Sequence, residues 1–280
     1  MGLTPVQGIT FYGTYAEGYR APAVTETLVS GAHPPFAQGF PGLFTMLPNP
    51  NLRPEIGQTK ELGVNFKYDN LFAPNDKFRA KINVYRNDVD DYIELTTFGP
   101  PVLFCPAPFP GCPPVPIITV NSYSLAQYQN ISEARIEGFE LEGSYDAGRW
   151  FMEVAAQHMR GRDLNNGMPL ATIPPDKLVL TYGMRFFDQK VTAAVRWIGV
   201  DAKKANNIPD RDGNGQPDFD PTAGYGLVNL YLDYKPNPDT TLSVAIDNVL
   251  DRAIITSPAS RRPEMLAKLD AVGRRLFGTG

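Results

Sequence analysis

Histidine is scarce in this sequence of 280 residues, so each of its two copies is a candidate for chemistry. His33 lies in the stretch YRAPAVTETLVSGAHPPF, where a polar run with strand-like spacing gives way to a long loop. His158, in WFMEVAAQH, shares the parity of Trp150 and Met152, which predicts a structural residue near the outer surface. An imidazole can bind a metal or titrate near neutral pH, although an isolated loop histidine is more often a solvated surface residue.

A second group of polar residues lies in PDRDGNGQPDFDP, around two glycines. Its candidate ligands are Asp210, Asp212, Asn214 and Asp218. The first half has the spacing of a calcium loop, in which oxygen ligands surround a sharp glycine turn. The twelfth position counted from Asp210 is Pro221, whereas such loops place a bidentate Glu there. The sequence therefore favours a hydrated turn, with a calcium site as the alternative.

The two cysteines, Cys105 and Cys112, lie in FCPAPFPGC, without metal-type spacing and without a histidine nearby. A small loop disulfide formed in an oxidising compartment is the favoured interpretation, and two free thiols are the alternative. The sequence contains no nucleophile elbow, and its carboxylates are scattered along strand-like runs and turns. We therefore predict no catalytic residues and no enzymatic activity.

The composition indicates a folded β-protein. Hydrophobic residues make up 42%, and 26 basic against 30 acidic residues leave a net charge of −4, which gives no electrostatic reason to expect a nucleic-acid partner. No apolar run approaches the roughly 20 residues of a spanning helix, and MGLTPVQGIT lacks the features of a signal peptide. The 25 glycines, 27 prolines, 13 tyrosines and 16 phenylalanines suit turns and half-buried strands.

Alternation of apolar and polar residues recurs along most of the chain. In one run, Phe78, Ala80, Ile82 and Val84 alternate with charged or amide residues, and several later runs behave alike. Because successive strand residues face opposite sides of a sheet, each run has one apolar and one polar face. We predict about nine strands on this pattern, near 7–17, 56–70, 77–90, 130–145, 149–160, 176–187, 189–199, 225–235 and 240–248.

The connections between these strands alternate between short and long. Short polar turns are predicted at 71–76, 146–148, 188–189 and 236–239, and long connections at 18–55, 91–129, 161–175 and 201–223. This alternation is typical of an antiparallel up-and-down transmembrane barrel with short periplasmic turns and long extracellular loops. Aromatic residues near strand ends and strands longer than the roughly 5 to 6 residues of soluble sheets favour that barrel over a soluble sandwich.

Two short motifs carry a resemblance to a known family. Tyr19-Arg20-Ala21-Pro22 and the run Asn49-Pro50-Asn51-Leu52, which continues to Glu55, resemble the two boxes of TonB-dependent outer-membrane receptors. The stretches ELGVNFKYDNLF, INVYRNDVDDYI, YQNISEARIEGFELEGSYD and VAIDNVLDR are similar to this family in the expected order. The resemblance implies the C-terminal part of a plugged barrel of about 22 strands in the outer membrane of a Gram-negative bacterium.

Within that family the sequence is similar to the heme and hemoglobin receptors, which place a heme-ligating histidine between the two boxes. The resemblance therefore implies that His33 is an axial ligand of heme iron, which a neutral imidazole suits. Phe36 is then available for the apolar heme face, and Arg20 or Arg53 for the propionates. The implied cargo is heme, free or from a heme-carrying protein. A siderophore or cobalamin receptor is the alternative, and a soluble or surface β-protein binding calcium or glycans is a second.

The end of the sequence departs from the family pattern. Ile254 stands where the family usually has an aromatic residue, and RRPEMLAKLDAVGRRLFGTG has helical rather than strand periodicity. We therefore divide the chain into a barrel portion at 1–253 and an atypical tail at 254–280. The plug and the segment that contacts the TonB complex are expected in an N-terminal region outside this sequence, so a fragment is expected.

Overall fold

The computed structural model describes residues 1–33, 44–104, 118–121, 123–210, 215, 217–218 and 221–254. Within these ranges there are two short helices, α1 (Val24–Leu28) and a 3₁₀ turn (Ala205–Asn207). No helix among the described residues is long and apolar enough to cross a membrane. The strands found in the same ranges are, in chain order, β1 (Gly2–Val6), β2 (Ile9–Arg20), β3 (Gly31–Ala32), β4 (Thr45–Leu47), β5 (Glu55–Asp69), β6 (Lys77–Phe98), β7 (Val102–Phe104), β8 (Ile118–Asn121), β9 (Leu125–Asp146), β10 (Trp150–Asp163), β11 (Lys177–Phe186), β12 (Val191–Val200), β13 (Tyr225–Asn237) and β14 (Thr240–Ile246).

The main sheet follows the chain order. Its strands are hydrogen-bonded in the order β1-β2-β5-β6-β9-β10-β11-β12-β13-β14, and β3 and β4 are attached to it beside β9. Neighbouring strands are antiparallel in every pair whose register is resolved, apart from β4, which runs parallel to β9. The predicted all-β, up-and-down arrangement is confirmed. Each of the nine predicted strands is present, as β2, β5, β6 and β9 to β14.

The prediction was incomplete in the long connections. β1 adds a tenth strand to the meander, and β3, β4, β7 and β8 lie inside segments predicted as loops. β6 and β9 have 22 residues each. β6 ends at Phe98, whereas the predicted strand ended at 90. β9 begins at Leu125, whereas the predicted strand began at 130. The extra length of β6 is rich in aromatic, β-branched and Leu residues, which suit strands.

The chain divides into two compact units. Among the described residues, the first unit comprises Met1–Glu17, Gln58–Asp88 and most of Arg135–Ser260. The second comprises Gly18–Gly57 and Val89–Ala134, including both motifs and His33. Val89, Ile93, Ala126 and Ala134 are buried apolar residues of the second unit, and Leu170, Ile173 and Ile208 are buried in the first.

One face of the sheet in the first unit is apolar and exposed. Leu180, Tyr182 and Met184 on β11 oppose Trp197, Val195 and Ala193 on β12 in register, and these in turn oppose residues of β13. The large side chains among them are about two-fifths exposed. The exposed apolar members on β11 to β14 are Leu180, Tyr182, Met184, Phe186, Val195, Trp197, Leu230, Leu232, Tyr234, Leu242, Val244 and Ile246.

The opposite face of the same sheet is polar and shielded. Thr181 is 4% exposed and accepts a hydrogen bond of 3.1 Å from Arg196 Nε, whose guanidinium lies 5.1 Å from the ring of Tyr231. Asn229 on β13 is 8% exposed. A sheet in water buries its apolar face, whereas a strand in lipid turns that face outward. The distribution in this unit therefore matches strands surrounded by lipid.

Aromatic rings cluster near the short turns of the first unit. Trp150 lies 5.2 Å from Tyr145 and 6.1 Å from Tyr182, and Tyr145 lies 5.7 Å from Phe72. Phe72 and Phe187 are more than 70% exposed. Aromatic rings at one end of an apolar band are typical of the interface between lipid and water.

The turn between β5 and β6 is organised by Asp76. Its carboxylate accepts hydrogen bonds of 2.7 to 2.8 Å from the backbone N–H groups of Leu71, Phe72 and Ala73, and one of 2.9 Å from the Tyr145 hydroxyl. Burial raises the pKa of Asp76, but the hydrogen bonds outweigh burial and lower it overall. The charged carboxylate therefore stabilises the turn.

We expect Asp76→Asn to lower the urea midpoint near neutral pH, because an amide cannot accept all of these bonds. A lowered pKa gives stability that is present above the ordinary Asp value and lost as pH falls through the lowered pKa. Wild type and variant should therefore converge once the pH falls below the lowered pKa of Asp76. Asp239→Asn, at an exposed turn residue between β13 and β14, is the matched control and should change little. Equal midpoints at all pH values would contradict this account.

Candidate ligand-binding site

His33 lies at the end of a short hairpin in the second unit. Gly31 and Ala32 on β3 pair with Met46 and Thr45 on β4. The backbone N–H of His33 then donates to the Phe44 carbonyl at 2.8 Å, which adds one more bond to the hairpin. The connecting residues 34–43, which include Phe36, lie outside the described residues.

The imidazole of His33 is half-buried and packs beside an aromatic ring. The ring centroids of His33 and Phe44 are 4.9 Å apart, and their planes are inclined by 54°. Packing against Phe44 limits the directions that the imidazole can take, and partial exposure leaves part of it accessible. A half-accessible imidazole beside an aromatic ring can bind a metal centre that carries a flat apolar group.

The hairpin is attached to the scaffold through β9. Thr45 and Met46 lie beside Leu125 and Ala126 in the parallel pairing, and Ala126 is fully buried. The N–H of Thr45 donates to the Ser124 carbonyl at 2.8 Å. The end of β9 therefore holds β4 in place, and β4 in turn pairs with the two residues just before His33.

In the first motif, Arg20 pairs with two carboxylates at the start of the segment that leads to His33. Arg20 Nε and Nη2 each donate to one oxygen of Glu55 at 2.7 Å, and Nη1 donates to both oxygens of Glu26 at 3.0 and 2.9 Å. These hydrogen bonds, foremost those to Glu55, raise the pKa of Arg20. Glu26 also accepts the N–H of Ala23 at 2.7 Å and so caps α1. The other motif residues differ in exposure: Tyr19 is 81% exposed, Ala21 is exposed and Pro22 is half-buried.

Glu55 also contacts β6, through a hydrogen bond from the backbone. It is 8% exposed, and its Oε1 accepts the N–H of Ile93 at 2.8 Å in addition to the Arg20 bond. A buried carboxylate needs such partners, because an unpaired charge in this place would be costly. Arg20, Glu26 and Glu55 thus join β2, α1, β5 and β6 in one network, which we name the arginine clamp.

The second motif makes a comparable connection to β9. The side chain of Asn49 donates to the Tyr128 carbonyl at 2.9 Å and accepts the N–H of Asn51 at 3.2 Å. The backbone N–H of Asn49 donates to the Thr27 carbonyl of α1 at 2.9 Å. Pro50 and Asn51 form an exposed turn, and Leu52 is half-buried. Asn49 therefore links α1, the turn and β9.

Asn130 holds the residue that follows this motif. Its side chain accepts the N–H of Arg53 at 2.8 Å and donates to the carbonyls of Arg53 and Asp91 at 2.9 and 2.6 Å. The Arg53 guanidinium pairs with Asp91 and is 68% exposed. Of the two arginines predicted near the ligand, Arg53 is therefore the more accessible, while Arg20 is occupied by the clamp.

Asn130→Ala is expected to lower the free energy of unfolding by roughly 1 to 3 kcal/mol, because three hydrogen bonds are lost at a half-buried position. Hydrogen exchange should increase at residues 49–53. Asn51→Ala is a matched control, since the Asn51 side chain makes no hydrogen bond with any described residue. Equal losses in the two variants would show that Asn130 does not hold this segment.

Sequence reasoning named the motifs but not the partners that explain them. Glu26 and Glu55 occur within or beside the motifs and could have been assigned as partners of Arg20. Asp91 and Asn130 carry no local signal, because their contacts with Arg53 span 38 and 77 positions of the chain. Contacts of this kind become visible only once β5, β6 and β9 are neighbours.

Several other predicted residues lie outside the described residues. They are Phe36, Cys105, Cys112, Asp212 and Asn214, so the disulfide stays a prediction. Asp210 accepts the N–H of Gly215 at 2.9 Å, and the N–H of Asp218 donates to the Pro209 carbonyl at 2.8 Å. In the described part of the chain, no three His, Cys, Asp or Glu residues form a metal cluster. Nothing described therefore supports the calcium alternative.

The chain is similar to several known proteins. It is 30% identical over 251 residues to the heme/hemopexin utilization protein C of Haemophilus influenzae, covering 87% of this chain and 33% of that protein. It is 28% identical over 264 residues to the hemin receptor of Yersinia enterocolitica, covering 90% and 34%. The chain thus spans about a third of the length of these relatives.

A solved structure and a family model agree with these relatives. The structure is a double mutant of the Serratia marcescens hemophore receptor HasR in complex with its hemophore HasA and heme, with a TM-score of 0.60 and 27% identity, covering 91% of this chain and 36% of that one. The family model for the TonB dependent receptor-like β-barrel matches residues 2–249. A meandering antiparallel sheet with an exposed apolar face is what this family requires, and the chain belongs to the TonB-dependent receptor-like β-barrel family.

Proposed function

We propose that the chain is part of an outer-membrane receptor that binds heme, free or from a heme-carrying protein, for TonB-dependent import. The observation that carries this proposal is the similarity to a heme/hemopexin utilization protein and to a hemin receptor over nearly the whole chain. Proteins of this family lie in the outer membrane of Gram-negative bacteria and are receptors and transporters. Contact with the TonB complex is assigned to the part of such receptors that this chain does not span.

His33 is the proposed axial ligand of the heme iron. Its position between the two motifs, its partial exposure and its packing on Phe44 support this role. A neutral imidazole supplies one nitrogen lone pair to the iron, so that one accessible ring nitrogen is sufficient. Phe36 is assigned to the apolar face of the porphyrin.

The two arginines receive different roles. Arg53 is largely exposed and pairs with a single carboxylate, so it is the proposed partner of a heme propionate. Arg20 already donates to both Glu26 and Glu55, and we assign it to positioning of the His33 segment.

Binding assays with different cargoes test this proposal. We expect the chain in detergent micelles to bind hemin, with quenching of its tryptophan and tyrosine fluorescence, and not to bind a ferric siderophore or cyanocobalamin. Protoporphyrin without iron should bind more weakly than hemin, because the bond to His33 is lost. Preferential binding of the siderophore or cobalamin would overturn the assignment of heme as cargo. A compact monomer in buffer without detergent would contradict the membrane location.

A further inference from the structure

The exposed face of the first unit changes from apolar to charged along three neighbouring strands. On β6, Val84 is exposed and is followed on the same face by Arg86 and Asp88. On β9, the exposed Phe139 is preceded on the same face by Glu137 and Arg135. Because the apolar part faces lipid, this change marks the boundary between hydrocarbon and headgroups.

The charged residues of the three strands contact one another. Arg135 Nε lies 2.7 Å from an Asp88 oxygen, and Arg162 on β10 lies 3.9 Å from Glu137. The rings of Phe139 and His158 are 5.7 Å apart at the edge of the apolar part. His158 is held by Asp176, with Nδ1 2.8 Å from each carboxylate oxygen.

A cavity of about 570 Å³ lies beside these residues. The side chains lining it include five cationic groups and three carboxylates, so positive charge is in excess; the cationic groups are Arg135, Arg160, Arg162, Lys203 and Lys204. The carboxylates are Glu137, Asp176 and Asp201. All of these residues belong to the first unit, remote in sequence from His33.

Of the arginine side chains that line the cavity, the two of β10 have the fewest close contacts with hydrogen-bond acceptors of the described residues. The side chain of Arg160 is exposed and has no hydrogen bond or ion pair with any residue in the described ranges. Arg162 approaches Glu137 at 3.9 Å only, beyond hydrogen-bond distance. By contrast, Lys203 donates to the Ile173 carbonyl at 2.6 Å. Arg160 and Arg162 therefore offer guanidinium groups to an anion.

We propose that this cavity binds the phosphate group of an anionic membrane lipid, with Arg160 and Arg162 as the principal contacts. A guanidinium donates two parallel hydrogen bonds to a phosphate, and this geometry favours arginine at phosphate sites. The acyl chains would lie along the apolar face that begins at Phe139 and continues over β9 and β10. A soluble phosphate compound would satisfy the arginines but would make no use of that face.

Spin-label spectroscopy of the full chain in phosphatidylcholine bicelles tests this proposal. The relative association of spin-labelled phosphatidic acid and spin-labelled phosphatidylcholine is measured for wild type and for the double variant Arg160→Gln/Arg162→Gln. We expect wild type to prefer phosphatidic acid and the double variant to lose that preference about twentyfold. Arg149→Gln, an exposed arginine in the turn before β10, is the matched control and should retain it.

A second measurement separates the lipid from soluble phosphate compounds and does not depend on any variant. Glycerol 3-phosphate, added to wild type at the concentration of the labelled lipid, should leave the association of phosphatidic acid unchanged. Displacement by glycerol 3-phosphate would overturn the lipid assignment. Equal association of the two labelled lipids with wild type, or an unchanged preference in the double variant, would overturn the site itself. The proposal does not rest on heme binding, which involves the second unit.

Discussion

Replacing His33 with alanine is expected to weaken hemin binding by about tenfold to a hundredfold, because the bond from imidazole to iron is lost while porphyrin contacts remain. The hairpin should survive this change, since the bond to Phe44 is made by the backbone N–H of residue 33. The measurement is a titration of the chain in detergent with hemin, followed in the heme absorption band.

His158→Gln is the matched control for this experiment. It removes the other imidazole of the chain, which lies in the first unit and is bonded to Asp176. Hemin affinity should stay at the wild-type value in this variant. A loss of affinity in His158→Gln equal to that in His33→Ala would contradict the assignment of the iron ligand.

The second large effect is expected for Arg20→Gln. This change removes the positive partner of Glu55, whose side chain is 10% exposed, and opens the arginine clamp. We expect the free energy of unfolding to fall by about 2 kcal/mol, less than for a fully buried pair because the guanidinium is 45% exposed. Hydrogen exchange at residues 21–33 should increase, and hemin affinity should fall because His33 is no longer held in place.

Arg20→Lys distinguishes positioning from direct contact with the ligand. Lysine keeps the charge but cannot form the paired bonds to Glu55 and the bonds to Glu26 together. If Arg20 acts through the clamp, the lysine variant should behave like Arg20→Gln. Recovery of hemin affinity in Arg20→Lys would instead indicate that charge alone matters, as expected for a propionate partner.

Arg53→Gln should lower affinity for hemin but not for its dimethyl ester, with little change in stability.

The meander could be predicted from the sequence because its signal is local. In β11 and β13, apolar residues recur at every second position with polar residues at several positions between them, and the polar turns from β11 to β12 and from β13 to β14 are short. The same alternation left open a soluble sandwich. The exposed apolar face that carries Leu180 and Trp197, together with the family match, favours strands that lie in lipid over a soluble sandwich.

The long connections could not be predicted in the same way. β3 and β4 have two and three residues, too few for periodicity to be visible, and β4 is held by parallel pairing with β9. Asn130 contacts Arg53 across 77 positions, which no pattern within a window can reveal. The position of His33 between the two motifs was a sequence observation, whereas the contact of Arg53 with Asp91 and Asn130 required the structure.

Rescue by free imidazole is the most direct test of the claim that His33 binds heme iron. The cavity left in His33→Ala should admit imidazole, which would restore the wild-type absorption spectrum of bound hemin and most of the lost affinity. Addition of imidazole to the wild-type chain should change neither quantity to the same extent. A His33→Ala variant that already has the wild-type spectrum, or whose spectrum is unchanged by imidazole, would contradict the account.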